Sequence, residues 1–448
     1  MRLLRIHLKK LLTKGRILIF AILILGLLLR LNNYTQLPPR GASSDEYTYS
    51  FLGMSLLEKG IPISWSYFPA YSTYAHTYSL TIDHIFFPMV IPYFDHPPLF
   101  GIVVAFWAIL NGETTFSSIT LGTIRQVPIF LGMVTSLLLY IIARKIYDKK
   151  TAIWALLIYS TATIFVMETR TVFAENLFTP LLLVSILIFM SIKNQVSYKK
   201  IISLGIIAGL SIWVKELGLV VFLSVFSLLI MEKVKLKLIL IFTLIFLFSG
   251  LLYMLYGYTY NWELFKSIVF VQTSRDIGPR TLYTLFFDPI LVNKQYLDGW
   301  YLLGFVSFFA SFTNFARNKL LLIPSFIYFF LCLFFLTSKA EMGWYMIPLF
   351  PFFAIFTAQL LVRSIRNNGW YILVVSLFIG MFATQYRIEV KYGLTPILFR
   401  WILVGLFVPL FLSSILKKEI LFRILSNWWF YLLIFFTALI TYRYIHPL

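Results

Sequence analysis

Adjacent carboxylates, Asp45-Glu46, lie in the run Arg40-Gly41-Ala42-Ser43-Ser44-Asp45-Glu46-Tyr47, the first long polar stretch after a hydrophobic segment. A carboxylate kept beside apolar sequence costs free energy, which makes it a functional candidate by default. From Asp45 to Gly60 the apolar and aromatic residues fall near helical spacing, with Gly60 as a stop, which predicts a short helix. Capping by Ser44 or Asp45, with Glu46 favouring the helix dipole, accounts for the acids equally simply, and does not exclude catalysis. About fifty residues on comes Asp95-His96-Pro97-Pro98-Leu99, where two prolines start another helix and His96 sits at its beginning. A donor side chain there could bind a phosphate, or could be an interfacial histidine and nothing more.

Further clusters are Glu168, Arg170 and Glu175, then Lys215-Glu216, then Arg275 and Arg280 before Asp288, then Lys339, Glu341 and Tyr345 ahead of Pro348 and Pro351. Glu168 and Glu175 are seven apart and could share a helical face, and either could form a structural ion pair with Arg170. Carboxylates beside several cations suit transfer from an anionic lipid phosphate: cations stabilise the leaving group and a carboxylate activates the acceptor. Zinc-ligand spacing, a P-loop, a dinucleotide-binding glycine pattern and a lipase elbow are all missing from suitable elements. Trp65, Tyr67, Tyr71, Tyr74 and Tyr78 could stack on sugar rings.

The elements that must hold these groups are membrane helices. With 60% hydrophobic and 12% charged residues in 448, the chain has more apolar sequence than a soluble core of that size can hide. Apolar stretches recur about every 30 residues, each long enough to cross about 30 Å of hydrocarbon, which predicts an all-α polytopic membrane protein of about thirteen spans. The net charge of +20 does not point to nucleic acid, because the basic residues alternate between loops. Arg2, Arg5, Lys9, Lys10, Lys14 and Arg16 precede the first span and put the N-terminus in the cytoplasm. The loops then expected inside hold, with that segment, 23 of 38 Lys and Arg but 3 of 18 Asp and Glu. The candidate chemistry is therefore expected on the outer face of a cell membrane.

This alternation requires that His96 to Asn111 does not cross, and at about 14 apolar residues it is short for a span and reads as an interfacial or re-entrant helix. The first external loop then covers 32–118, with juxtamembrane helices. Cys332 is the sole cysteine, so an intramolecular disulfide framework is excluded. Residues 1–448 read as a single integral membrane domain, its first segment a retained helix, with neither fixed-period repeats nor a soluble domain at either end.

In their order and common side these motifs resemble the GT-C polyprenyl-phosphate-dependent glycosyltransferases, in particular the group of protein O-mannosyltransferases and lipid A aminoarabinose transferases. The resemblance covers most of the chain. It is carried by Asp45-Glu46 with Tyr49, by Asp95-His96-Pro97-Pro98, by Arg125 opening the second span, by Arg170 to Glu175, by Gly209 to Lys215, and by Lys339 with Tyr345-Met346-Ile347-Pro348-Leu349-Phe350-Pro351. It implies a GT-C bundle and an inverting transfer of one sugar from a polyprenyl-phosphate donor to an extracytoplasmic acceptor, which could be protein, lipid or envelope glycan. On that implication Asp45 is the general base, supported by Glu46, and Glu175 is the second acidic position, which positions substrates or, with Asp45 in some relatives, a divalent metal such as Mg or Mn. His96, Arg125, Arg170, Lys215, Arg275, Lys339 and Tyr345 fall on the side of the lipid phosphate. Some relatives have an arginine two residues after the acidic pair where this chain has Thr48, so phosphate contacts must come from elsewhere. Eukaryotic protein mannosyltransferases insert a soluble domain in a central loop, and the stretch from about Tyr258 to Asp298 is too short for one, which favours a bacterial or archaeal enzyme. A multi-pass transporter or lipid-linked sugar flippase, and a polysaccharide polymerase or ligase, remain alternatives; a transporter would place its charges near the midplane, often in paired repeats.

Overall fold

The computed structural model describes residues 14–39, 45–82, 85–192, 195–274, 286, 290–291, 294–295, 298–335, 343–367, 371–372, 374, 395–416 and 418–444. Its helices are α1 (Lys14–Leu31), α2 (Asp45–Lys59), α3 (Pro98–Leu110), α4 (Gln126–Ile146), α5 (Lys149–Thr161), α6 (Glu175–Ile192), α7 (Tyr198–Val214), α8 (Leu219–Met231), α9 (Leu236–Thr273), α10 (Gly299–Ala310), α11 (Phe315–Phe335), α12 (Phe350–Arg366), α13 (Pro396–Ile415) and α14 (Glu419–Tyr442). Six helical stretches among the described residues are long and apolar enough to cross a membrane. The expected number of spans, about thirteen, is not reached by that criterion because several apolar stretches form short or interrupted helices. The stretch after Asp148, for example, is broken at Ala162 (φ −58°, ψ 126°) into α5 and a six-residue helix, Thr163–Glu168. Hydropathy sums over such breaks.

Position in the bundle follows the distribution of apolar residues around each helix. In the stretch Gly343–Arg366, 89% of the most apolar window is buried inside the protein, so that helix is central, whereas in α9 the figure is 28% and the helix is peripheral. α9 kinks at Asn261 (φ −171°, ψ 101°), whose side chain accepts from Leu264 N (3.1 Å) and donates to Tyr74 O (2.8 Å). The amide thus satisfies backbone groups that the break and the adjoining loop would leave open.

The run expected not to span is α3, 13 residues or about 20 Å long, too short for a bilayer core. It packs against α2 at a glycine crossing. A Cβ on Gly53 would lie 2.0 Å from Gly101 O and 2.7 Å from Ala105 Cβ, and one on Gly101 would lie 2.6 Å from Tyr49 O. Backbone faces backbone, so a side chain has nowhere to go. Gly53→Ala should force the two helices apart and destabilise by about 1–3 kcal/mol, read as a lower unfolding temperature in detergent; an unchanged melt would mean the crossing is loose. The crossing matters because α2 begins at Asp45 and α3 follows Asp95-His96.

Between α2 and α3 lies a small antiparallel sheet, order β1-β3-β2, an addition to the all-helical expectation: β1 Ser64–Trp65, β2 His76–Ile82 and β3 Ile85–Ile91. β2 and β3 pair from His76↔Ile91 to Ile82↔Ile85. Phe87, Met89 and Val90 are buried while Phe86 is 54% exposed. Packing takes Trp65, in β1, and Tyr71, in the short helix Ala70–Tyr74, out of the set that could stack on sugars, since both are buried; Tyr67, Tyr74 and Tyr78 remain exposed.

Candidate active site

Glu46 and Arg125 are 79 residues apart in sequence and form a buried, two-pronged ion pair. Arg125 Nε donates to Glu46 Oε1 (2.8 Å) and Nη2 to Oε2 (2.7 Å), while Nη1 donates to Tyr34 O (2.7 Å) and Pro38 O (2.9 Å). Val172 N adds a third bond to Glu46, at 3.1 Å. One guanidinium thus ties residues 34–38 to the start of α2, and its carboxylate partner ties both to the 170s. With its donors directed at protein acceptors, Arg125 is not presented to a lipid phosphate, contrary to the expectation from sequence. Glu46, expected to support Asp45, has its oxygens engaged by Arg125 and Val172 N, and it lies in the first turn of α2, where Asp45 is half-buried.

Arg170, also expected at the phosphate, is fully buried behind this pair and donates through Nη1 to Asn32 O (2.8 Å). Burial, and then the neighbouring Arg125, pushes its pKa down to about 9, so it stays charged at neutral pH.

Glu175 opens α6 and pairs with the Lys215 ammonium just past the end of α7. Glu175 thus pairs with this lysine and not with Arg170, the partner suggested by the sequence. Burial works against the ammonium, but Glu175 and Tyr345 outweigh it and raise the Lys215 pKa, so the charge is kept. Lys215 Nζ also lies 4.0 Å from the centre of the Tyr345 ring, a cation–π contact that fixes its direction. The other oxygen of Glu175, Oε2, is buried with no hydrogen-bond partner among the described residues.

Lys215 and Tyr345 border a cavity of about 280 Å³. Asp95, His96, Lys215, Glu216 and Tyr345 form its polar wall, and Leu217, Ile268, Val269 and Leu331 its apolar side. Tyr71 orients Asp95 by donating to its Oδ1 at 2.6 Å while accepting from Phe94 N at 2.8 Å. The His96 ring stacks on Tyr49, centroids 4.5 Å apart and 19° between planes. Tyr49 is buried, and its pKa is pushed well up by that burial, then by the charges of Glu175 and Asp45, and further by Tyr345 and Glu216. A single phenol therefore lies in the electrostatic range of groups from four separate segments, and it stays protonated at neutral pH as a hydrogen-bond donor.

The fold thus gathers Glu175, His96, Lys215 and Tyr345, with Asp45 at the start of the helix that carries Tyr49, and it buries Glu46, Arg125 and Arg170 in a separate set of contacts. Arg275 and Lys339 lie outside the described residues. Tyr49 and Glu216 belong to motifs that the sequence singles out, Asp45-Glu46 with Tyr49 and Lys215-Glu216, but the sequence assigns neither a role of its own. A divalent metal on Asp45 and Glu175 does not suit this donor set, because Glu175 already faces an ammonium. Among the described residues no three His, Cys, Asp or Glu side chains converge as metal ligands.

Residues 95–256 match the family model described as dolichyl-phosphate-mannose-protein mannosyltransferase. The match contains His96, Arg125, Arg170, Glu175 and Lys215. An uncharacterized protein of Aquifex aeolicus is 26% identical over 298 residues, covering 63% of this chain and 58% of its own length, so the chain spans less than two thirds of that relative. Among solved structures, ArnT from Cupriavidus metallidurans bound to undecaprenyl phosphate superposes with a TM-score of 0.57 at 13% identity, over 95% of this chain and 76% of that one. The same protein in the apo state gives 0.55 at 14% identity, with the same coverage. The chain is a multi-pass membrane protein with the GT-C fold, as its motifs implied.

Proposed function

We propose that this chain transfers a single sugar from a polyprenyl-phosphate donor to an acceptor hydroxyl on the outer face of the membrane, with inversion at the anomeric carbon. The observation that carries the reading is the cavity whose polar wall holds Lys215, His96 and Tyr345 and whose other side is apolar, with the wall residue His96 stacked on Tyr49 of α2, the helix that begins at Asp45. A phosphate on an isoprenoid chain has that same division of polar and apolar parts. ArnT, which shares the fold, has been crystallised with undecaprenyl phosphate, and the mannosyltransferase match adds a lipid-phosphate-sugar family to the support.

In the proposed step Asp45 accepts the acceptor's O–H proton while that oxygen attacks the anomeric carbon. The bond from that carbon to the phosphate oxygen breaks, its electron pair leaves with polyprenyl phosphate, and the developing charge meets the Lys215 ammonium and donors from His96 and Tyr345. Glu175 acts on Lys215, holding it charged and aimed. Because Asp95, Glu175 and Glu216 offset one lysine, the dianionic leaving group needs more positive charge. Arg275, two residues beyond the cavity residue Thr273, and Lys339, six before Tyr345, are the proposed sources. Arg125 and Arg170 contribute charge from behind. The basic N-terminal segment is assigned to the cytoplasm and the cavity to the opposite side.

The test follows the fate of doubly labelled donor in proteoliposomes supplied with envelope acceptors and a panel of polyprenyl-phosphate monosaccharides. Free polyprenyl phosphate and sugar-bearing acceptor are expected; intact donor moving between leaflets without cleavage would establish the flippase reading instead. Since the Lys215 ammonium occupies Glu175, EDTA should leave the transfer rate within about twofold, a change of less than about 0.5 kcal/mol in the barrier. A loss restored by Mg or Mn would contradict that assignment.

A further inference from the structure

The opposite end of the bundle carries a second cavity. α4 runs from Arg125, beside Glu46, to Ile146, about 30 Å along its 21 residues, and α12 runs from Phe350, just past Tyr345, to Arg366. Both end at a cavity of about 320 Å³. Three elements wall it: Tyr147 and Asp148 from the turn between α4 and α5, Asn314 and Arg317 at the start of α11, and Gln359, Arg363 and Arg366 from α12. Of its lining residues only Val362 is apolar.

Its charge is unbalanced. Asp148 is the one carboxylate in the lining, against Arg317, Arg363 and Arg366. That carboxylate is already used: Oδ1 accepts from Thr151 N (2.7 Å) as the cap of α5, and Oδ2 accepts from Arg366 Nη2 (2.8 Å). Arg317 is held by its stacking over the Tyr147 ring, 5.1 Å to the centroid, and Tyr147 is itself fixed by donating to Asn318 Oδ1 (2.7 Å). Among the described residues neither Arg317 nor Arg363 has a carboxylate partner.

Arginines at this end are expected from membrane topology, and Arg366 also suits the negative C-terminal end of α12. Topology does not require that three of them face one concave, hydrogen-bonding cavity, nor that one be oriented by a tyrosine that is itself anchored. Planar guanidinium groups converging from two helices, with amide and hydroxyl donors between them, match the oxygens of a phosphate. The cavity lies at one end of the bundle, and Phe315, between Asn314 and Arg317, is 41% exposed beside it. A headgroup would enter there with its acyl chains outside.

We infer that this cavity is a binding site for the phosphate of an anionic phospholipid headgroup, at the membrane surface opposite the proposed active site. It is independent of the reaction assigned to the first cavity. Wild type and the double variant Arg317→Gln/Arg363→Gln, in neutral detergent, would be titrated with phosphatidylglycerol, phosphatidylcholine and inorganic phosphate, with bound lipid counted by native mass spectrometry and unfolding temperature followed in parallel. One tightly held phosphatidylglycerol is expected on the wild type, with binding weakened about tenfold or more in the double variant. Melting without lipid should be unchanged, because neither arginine leaves a carboxylate behind. Asn314→Asp, which adds a negative charge without changing size, should weaken phosphatidylglycerol in the same way. Equal binding of phosphatidylglycerol by wild type and both variants, or no preference over phosphatidylcholine, would overturn the inference. Displacement of the lipid by inorganic phosphate at comparable concentration would keep the phosphate site but overturn its assignment to a lipid.

Discussion

Asp45→Asn should lower kcat for sugar transfer by about 10²–10⁴-fold, the range for loss of a positioned general base. The substitution is nearly isosteric, and Asp45 is half-buried at the first turn of α2, so the fold and the cavity should persist. KM for the lipid donor should change little, because Lys215, His96 and Tyr345 are untouched. A variant that keeps near-normal kcat would remove Asp45 from the chemistry and leave it a helix-capping residue. A variant that loses kcat together with its unfolding temperature would instead report damage to α2. The two outcomes are separated by melting both proteins in the same detergent.

The second large effect concerns stability. Arg125→Leu strands Glu46 as a buried, unpaired carboxylate and removes the bonds that fasten Tyr34 O and Pro38 O, so a loss of about 3–5 kcal/mol is expected. The double variant Glu46→Gln/Arg125→Leu should recover part of that, since no isolated charge remains. The Arg366–Asp148 pair is the comparison: at 2.8 Å it is as close, but its side chains are 59% and 34% exposed, and breaking it should cost at most about 1 kcal/mol. Burial, not distance, decides the difference. Equal unfolding shifts for the two pairs would mean that the Glu46–Arg125 pair is solvated.

Much of the architecture is written in local properties of the chain. Hydropathy marks the membrane helices, and the 13-residue α3 has the length and flanking prolines that identify a segment too short to cross. Asp45, Glu175, His96, Lys215 and Tyr345 declare themselves because charge and aromatic polarity stand out against apolar neighbours. Their partners do not. Glu46 and Arg125 are 79 residues apart, and Glu175 and Lys215 are 40 apart, so only the packed bundle decides which carboxylate takes which cation. For that reason Arg125 reads as a phosphate ligand in sequence and is a buried tie in the fold. The sheet over residues 64–91 is equally hidden, because its aromatic residues have the same composition as an interfacial loop. The break at Ala162 lies inside an apolar run that hydropathy reads as continuous, whereas the kink at Asn261 and the helix beyond it to Thr273 fall where the sequence suggests a loop from about Tyr258.

The central claim is that the cavity walled by Lys215, His96 and Tyr345 receives the donor's phosphate, and the most direct measurement is the affinity of polyprenyl phosphate for purified wild type, His96→Ala, Lys215→Met and, as a control outside the cavity lining, Tyr78→Ala. Loss of one charge-assisted contact should weaken binding about 10–100-fold in His96→Ala and Lys215→Met, with Tyr78→Ala unchanged. Equal affinity across all four proteins would put the lipid phosphate somewhere else and contradict the account.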